Sequence, residues 1–142
     1  MLREVKEYEA KGWHVVLVGD MNIAPSLIDG FPGLRGGDEH VRNRKDFSEK
    51  FLSNEEDVGM RGVDTYRHFH GGLRKYTYHG EKAERWGESC DRVDLGIVSR
   101  TLVEDVSGAL VGAEIWESVT ERGGSDHVPI SVVLDVGKLR HS

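Results

Sequence analysis

Three short stretches place acidic, amide and imidazole side chains where an apolar run meets a turn. Gly19-Asp20-Met21-Asn22-Ile23-Ala24-Pro25 follows directly on the run Trp13 to Val18. Side chains alternate along a strand, so Asp20 and Asn22 leave its tip on the same side, where an acid and an amide can orient a water and hold a phosphate oxygen. Asp and Asn are also favoured by turns, so turn chemistry explains this pair equally well. Arg92-Val93-Asp94-Leu95 sets a carboxylate inside an otherwise apolar segment. A buried carboxylate is costly unless something pairs with it. Its partner is either Arg92, on the same strand face, or a histidine that Asp94 would hold in one tautomer. Gly123-Gly124-Ser125-Asp126-His127-Val128-Pro129-Ile130 is the third stretch. A regular strand aims Asp126 and His127 to opposite sides, whereas a turn converges them. Asp126 offers a hard oxygen ligand for magnesium or manganese. His127 can steady a phosphoryl oxygen or move a proton near neutral pH.

Other candidates are weaker. His68, His70 and His79 lack a neighbouring cysteine and a further ligand at metal spacing, so zinc is set aside. Asp64-Thr65-Tyr66-Arg67 reads as a structural ion pair at the start of an element. Cys90 has no evident base beside it and reads as a packing residue. Tyr78 with residues 79–91 forms an aromatic and basic stretch of the kind that faces a nucleic acid.

These residues need elements to hold them. Leu2, Val5 and Tyr8 fall at helical spacing, which predicts a helix over 2–11 that Gly12 ends. Residues 13–18 read as a buried strand, and Asn43 as the cap of a short helix through Phe51-Leu52 with Asp46 in its first turn. Residues 29–40 form a long glycine-rich loop. Tyr76-Thr77-Tyr78 has strand character, and Arg92 to Ser99 puts Val93, Leu95 and Ile97 on one face and Arg92, Asp94, Gly96 and Val98 on the other. Leu102 to Ile115 reads as a strand broken at Gly108 and Gly112, and Val128 to Val136 as a terminal strand with Pro129 near its start. The class is mixed α and β.

The 142 residues suffice for one domain with its own core. Hydrophobic residues make up 37% of the chain, and 18 glycines bring the apolar share to that of ordinary globular proteins, which argues against global disorder. Val15 to Val18, the longest apolar run, is far short of a bilayer span, so no membrane partner is expected. The alternating charges of Met1 to Glu7 are unlike a secretory leader, and a single cysteine excludes an internal disulfide, so an intracellular setting is expected. The net charge of −6 speaks against a general nucleic-acid coat protein. Residues 61–100 nevertheless hold eight Lys and Arg against six Asp and Glu. Such a middle suits a phosphate-bearing partner held partly through a metal ion, and suits an ordinary mixed surface as well.

Taken in order, Val18-Gly19-Asp20-Met21-Asn22-Ile23-Ala24-Pro25, Val63-Asp64-Thr65-Tyr66-Arg67, Tyr76-Thr77-Tyr78, Asp91-Arg92-Val93-Asp94-Leu95 and Ser125-Asp126-His127-Val128-Pro129-Ile130 resemble the C-terminal half of the exonuclease III / apurinic-apyrimidinic endonuclease family, within the endonuclease/exonuclease/phosphatase superfamily. The resemblance implies a partial four-layer α/β sandwich and magnesium- (or manganese-) dependent phosphodiester hydrolysis of DNA, with a nuclear setting in keeping. It implies that Asp20 prepares the attacking water, Asn22 holds a phosphate oxygen, Asp126 binds the metal, His127 stabilises charge on the phosphoryl group and Asp94 orients His127. Tyr78 and Arg92 are the further substrate-binding candidates.

Two departures accompany it. The family's early Asn and metal-binding Glu have no counterpart here, so residues 1–142 are expected to be the C-terminal half of such a domain, with little activity as an isolated chain. Asp91 stands where DNA-repair members commonly place a tryptophan, which bears on abasic-site specificity. The competing readings are a phospholipid or inositol-phosphate substrate, and a binding or assembly module that associates through uncovered sheet surface.

Overall fold

A computed structural model describes residues 1–106 and 108–139. In chain order the first half comprises α1 (Leu2–Ala10), β1 (Val16–Asp20), β2 (Gly30–Phe31), α2 (Asp38–Phe47), β3 (Val63–Asp64) and α3 (Thr65–His70). The second comprises β4 (Cys90–Asp91), β5 (Asp94–Val98), α4 (Thr101–Glu104), β6 (Leu110–Ile115), α5 (Val119–Arg122), β7 (Ile130–Leu134) and α6 (Val136–Leu139). All strand pairs are antiparallel: a sheet ordered β1-β5-β3 and two ribbons, β2-β4 and β6-β7.

β5 organises the layers because its alternation feeds two cores. Leu95 and Ile97, both 1% exposed or less, point to one side, where they meet Val5 of α1, Phe47 of α2, and Phe51 and Met60. Val98 points to the other and joins Leu102, Val106, Ala109 and Leu110, with Val132 and Leu134 of β7 packed against them. Helices, a three-stranded sheet and a second sheet therefore stack in that order. Gly96 permits the close approach of the two sheets, since a Cβ there would lie 2.4 Å from Cγ2 of Val132.

Several expected boundaries move. Trp13 is 64% exposed and lies edge-on to Tyr8, so the first strand starts at Val16 rather than at residue 13. α2 begins at Asp38 after Gly37, well before Asn43, which shortens the expected loop of residues 29–40. Its signal was electrostatic: Asp38 and Glu39 occupy the first turn and Arg44 and Lys45 the last, complementing the helix dipole. The expected strand from Leu102 instead opens as α4, and regular pairing starts at Leu110. Tyr76 to Tyr78 forms no strand of its own, only single bridges from Tyr78 to Asp91 and to His127.

Where the loops meet the sheet, a buried ion network holds them. Arg92, 1% exposed, donates from Nε to Asp29 Oδ1 (2.7 Å) and from Nη1 to Asp64 Oδ1 (3.0 Å), and its own backbone N–H bonds the Asp29 carbonyl (2.7 Å). Arg67 reaches the same Asp29 carboxylate, and Asp64 also caps α3 by accepting from the Arg67 backbone N–H. Burial alone would raise the Asp29 carboxyl, but Arg92, Ser26 and Arg67 together hold it below the usual carboxylate range. A lowered pKa stabilises the fold above the unfolded value of about 3.9, and that contribution is lost as pH falls through the lowered folded value. Stability is therefore expected to drop steeply below about pH 4, and Asp29→Asn is expected to flatten that drop while costing stability at pH 7. Urea midpoints against pH test this; parallel profiles for both proteins would refute it.

Among the described residues no helix is long and apolar enough to cross a membrane. Val18 of β1, Val111 of β6 and Val133 of β7 each stand about half exposed on the sheets.

Candidate active site

The register of β1 against β5 sets Asp20 directly opposite Asp94. Like charges in facing positions repel, so this end of the sheet calls for a cation or a proton between them. His127 supplies it. Its Nδ1 donates to Asp94 Oδ2 at 2.6 Å, while its Nε2 lies 3.8 Å from Asp20 Oδ2 and 3.7 Å from Asp126 Oδ1. Three carboxylates thus surround one imidazole. Asp94 is the most sheltered of them at 14% side-chain exposure, whereas Asp20 and Asp126 remain open at 51% and 60%.

Local structure explains how distant residues converge. Bends at Ser125 and Asp126 break the strand before β7, and the His127 backbone N–H bonds Ser125 Oγ (3.0 Å). That turn is stapled to residues 77–79 by Val128 N–H to Thr77 O (2.8 Å) and His79 N–H to Asp126 O (2.9 Å). Thr77, fully buried, accepts through Oγ1 from the backbone N–H groups of Val93 and Asp94, both at 3.0 Å. It therefore fixes where β5 starts and how Asp94 enters the site. No sequence signal marks that role, because the bonds go to backbone sixteen and seventeen residues away.

Burial on its own would lower the His127 pKa, but the hydrogen bond and charge of Asp94, with Asp20 and Asp126, outweigh it and raise the value above that of a free imidazole. A raised pKa favours the folded state at low pH and loses that contribution as pH rises through the folded value. An NMR titration of the His127 ring is expected to give a midpoint above about 6.5, and Asp94→Asn to bring it down. A wild-type midpoint at or below the free value would contradict the arrangement.

Of the residues singled out in the sequence, Asp20, Asp94 and His127 come together. They are the group among the described residues whose donor atoms all lie within 4.8 Å of one another. Asp126 adjoins this group from the side of His127 Nε2. Asn22 lies past the end of β1 with φ of +53°, a conformation that asparagine tolerates, and its backbone N–H bonds Asp20 Oδ1 at 2.8 Å. Strand alternation therefore does not place it; a local turn ties it to Asp20. The Tyr78 ring lies 5.3 Å from that of His127, with the Arg35 guanidinium 5.5 Å over its face.

Arg92 does not belong to the site as a substrate contact. It is sealed between Asp29 and Asp64, so neither a substrate nor Asp94 has access to its guanidinium. The three histidines weighed for zinc also go separate ways: His68 lies edge-on to Phe69 (5.0 Å), His70 bonds the Ala113 carbonyl (2.6 Å), and buried His79 bonds Glu117 (3.0 Å) and stacks on Trp86 (3.7 Å). Cys90 is buried, and burial, with the nearby charges of Glu117, Glu81 and Asp91, pushes its thiol up to about 12, which suits packing rather than nucleophilic attack.

No family model matches the chain, and no curated protein matches it in sequence. Solved structures do. The catalytic domain of APE2 from Xenopus laevis matches 94% of the chain with a TM-score of 0.70 at 21% identity, over 40% of its own length. A 3′ phosphatase from Neisseria, NExo, bound to a product DNA hairpin, matches 94% with a TM-score of 0.60 at 20% identity, over 50% of its length. An AP endonuclease from Archaeoglobus fulgidus matches 94% with a TM-score of 0.58 at 22% identity, over 53% of its length. The chain shares with these structures a fold of the endonuclease/exonuclease/phosphatase type and spans about half their length.

Proposed function

We propose that the chain carries the phosphodiester-cleaving chemistry of an exonuclease III-like nuclease acting on DNA. The carrying observation is the Asp20, Asp94 and Asp126 carboxylates gathered around His127. Asp20, open to solvent and next to the imidazole, aligns a water and takes its proton. Asn22, anchored to Asp20, offers its amide to a phosphate oxygen. His127, oriented by Asp94, whose charge favours the protonated ring, donates to the phosphoryl oxygen on which negative charge builds. Tyr78, its ring 5.3 Å from that of His127, is the further substrate contact.

The donor set suits a hard divalent cation, because the two exposed groups are carboxylates and Asp94 is already engaged by His127. Asp126 would hold Mg2+ or Mn2+, which would supply charge neutralisation at the phosphate. A single carboxylate fills only a small part of an octahedral shell, so turnover by this chain alone is expected to be slow.

DNA as the substrate is supported by the hairpin bound to the Neisseria phosphatase of the same fold. The test is strand cleavage of abasic and intact duplexes with Mg2+, read over hours at excess protein. Slow nicking that stops with a chelator and with Asp126→Ala is the expected result. Cleavage indifferent to both, or the same cleavage of a phospholipid headgroup in preference to DNA, would overturn the reading.

A further inference from the structure

Residues 76–79 are the hub on which the site is assembled. Thr77 accepts from the Asp94 N–H through Oγ1 and from the Val128 N–H through its carbonyl, and the His79 N–H bonds the Asp126 carbonyl (2.9 Å). The short helix α5 grips this hub from both of its ends. Just before the helix, Glu117 Oε2 accepts from the Tyr76 backbone N–H (2.8 Å) and from His79 Nε2 (3.0 Å). At its last residue, Arg122 Nη1 donates to the carbonyls of His79 (2.6 Å) and Glu81 (2.9 Å). The Arg122 guanidinium also lies 4.9 Å over the Trp86 ring, which stacks on His79 at 3.7 Å. Its acceptors are neutral carbonyls, so what it fixes is the course of the backbone. From Arg122 the chain runs straight into the site: its carbonyl accepts from the Ser125 N–H (3.2 Å), Gly123 turns at φ +59°, and Asp126 and His127 follow.

We propose that Arg122 is a positioning residue for the Asp126–His127 pair, acting through His79. His79 is held through both of its backbone groups: Arg122 takes the carbonyl and Asp126 takes the N–H. Without the guanidinium, residues 79–81 are free to turn, and Asp126 loses its fixed anchor. His127 then no longer meets Asp94 in one geometry. For its effect on cleavage the inference rests on the nuclease reading; its effect on geometry stands on the hydrogen bonds alone. A misplacement of about 1 Å caused away from the chemistry costs up to about a hundredfold in rate.

The test compares the wild-type chain with three variants. Arg122→Met keeps an aliphatic stem and removes every donor, so the bonds go while the packing is largely spared. Arg122→Lys returns a charged donor that can bond both carbonyls. Val103→Ala thins the second core away from the turn and reports the effect of lower stability alone. Two NMR signals are read on the chain without added metal: exchange of the His79 amide relative to the amides of β5, and the hydrogen-bonded Nδ1 proton of His127. In Arg122→Met the amide is expected to exchange about tenfold faster or more, and the ring proton to shift or broaden. Single-turnover cleavage with Mg2+ is expected to slow by about ten- to a hundredfold, with duplex affinity unchanged. Arg122→Lys should recover most of each loss, and Val103→Ala should leave both signals in place. Unchanged signals in Arg122→Met, or the same changes in Val103→Ala, would overturn the proposal. Slower cleavage with both signals intact would overturn it too, since Arg122 would then act on the substrate itself. Altered signals in a chain that cleaves no DNA, wild type included, would support the positioning role and overturn the nuclease reading instead.

Discussion

Arg92→Ala is expected to destabilise the fold by about 3–5 kcal/mol, the cost of stripping one partner from a buried ion pair. Asp29 is fully buried, Asp64 nearly so, and Arg92 satisfies both at once. Removing it leaves two carboxylates facing each other with Arg67 as the remaining nearby cation on Asp29. Domains of this size have net stabilities of only about 5–15 kcal/mol, so the variant should be partly unfolded at body temperature. Arg92→Lys should lose less, yet still measurably, since one ammonium cannot span two carboxylates as the guanidinium fork does. Urea unfolding followed by tryptophan fluorescence measures both. A change within about 1 kcal/mol for Arg92→Ala would show that the network is not what holds the loops to the sheet.

The second large effect concerns His127. His127→Ala is expected to lower Mg2+-dependent cleavage by about a hundred- to ten-thousand-fold, the range lost when a positioned proton donor is removed. Asp94→Asn should show a similar direction with a smaller loss, because the imidazole stays in place but loses the carboxylate that orients and charges it. Folding is expected to survive both changes, since the three groups lie at a sheet end and not in either core. Circular dichroism and single-turnover rates on the same preparations separate the two possibilities. Full activity in His127→Ala would remove the imidazole from the chemistry.

Much of this site was legible from residue type. Asp94 sits in an apolar strand, which demands a partner, and Asp20 and His127 flank other apolar runs at their turns. Residue type alone leaves Arg92 and a histidine open as its partner and only the family resemblance points to His127; the register of β1 on β5 and the turn at Ser125 are what bring His127 to Asp94. Arg92 is taken by Asp29 and Asp64, which lie 63 and 28 residues away, so no local pattern announces them. Asn22 escaped strand alternation because its positive φ belongs to a turn. Apolar periodicity says nothing about the start of α2, where charges at both ends define the helix, and the hydrophobicity of Trp13 does not record its packing against Tyr8 at the surface.

The sites of metal and phosphate can be located without turnover. Paramagnetic broadening of backbone amides by Mn2+, in the presence of an abasic duplex, reports which residues surround the ion. Broadening that is strongest at residues 20–22, 94 and 126–127, and that disappears in Asp126→Ala, is the expected result. Broadening centred elsewhere on the surface, or none in the presence of bound DNA, would contradict a cation-assisted phosphodiester centre at the end of β1 and β5.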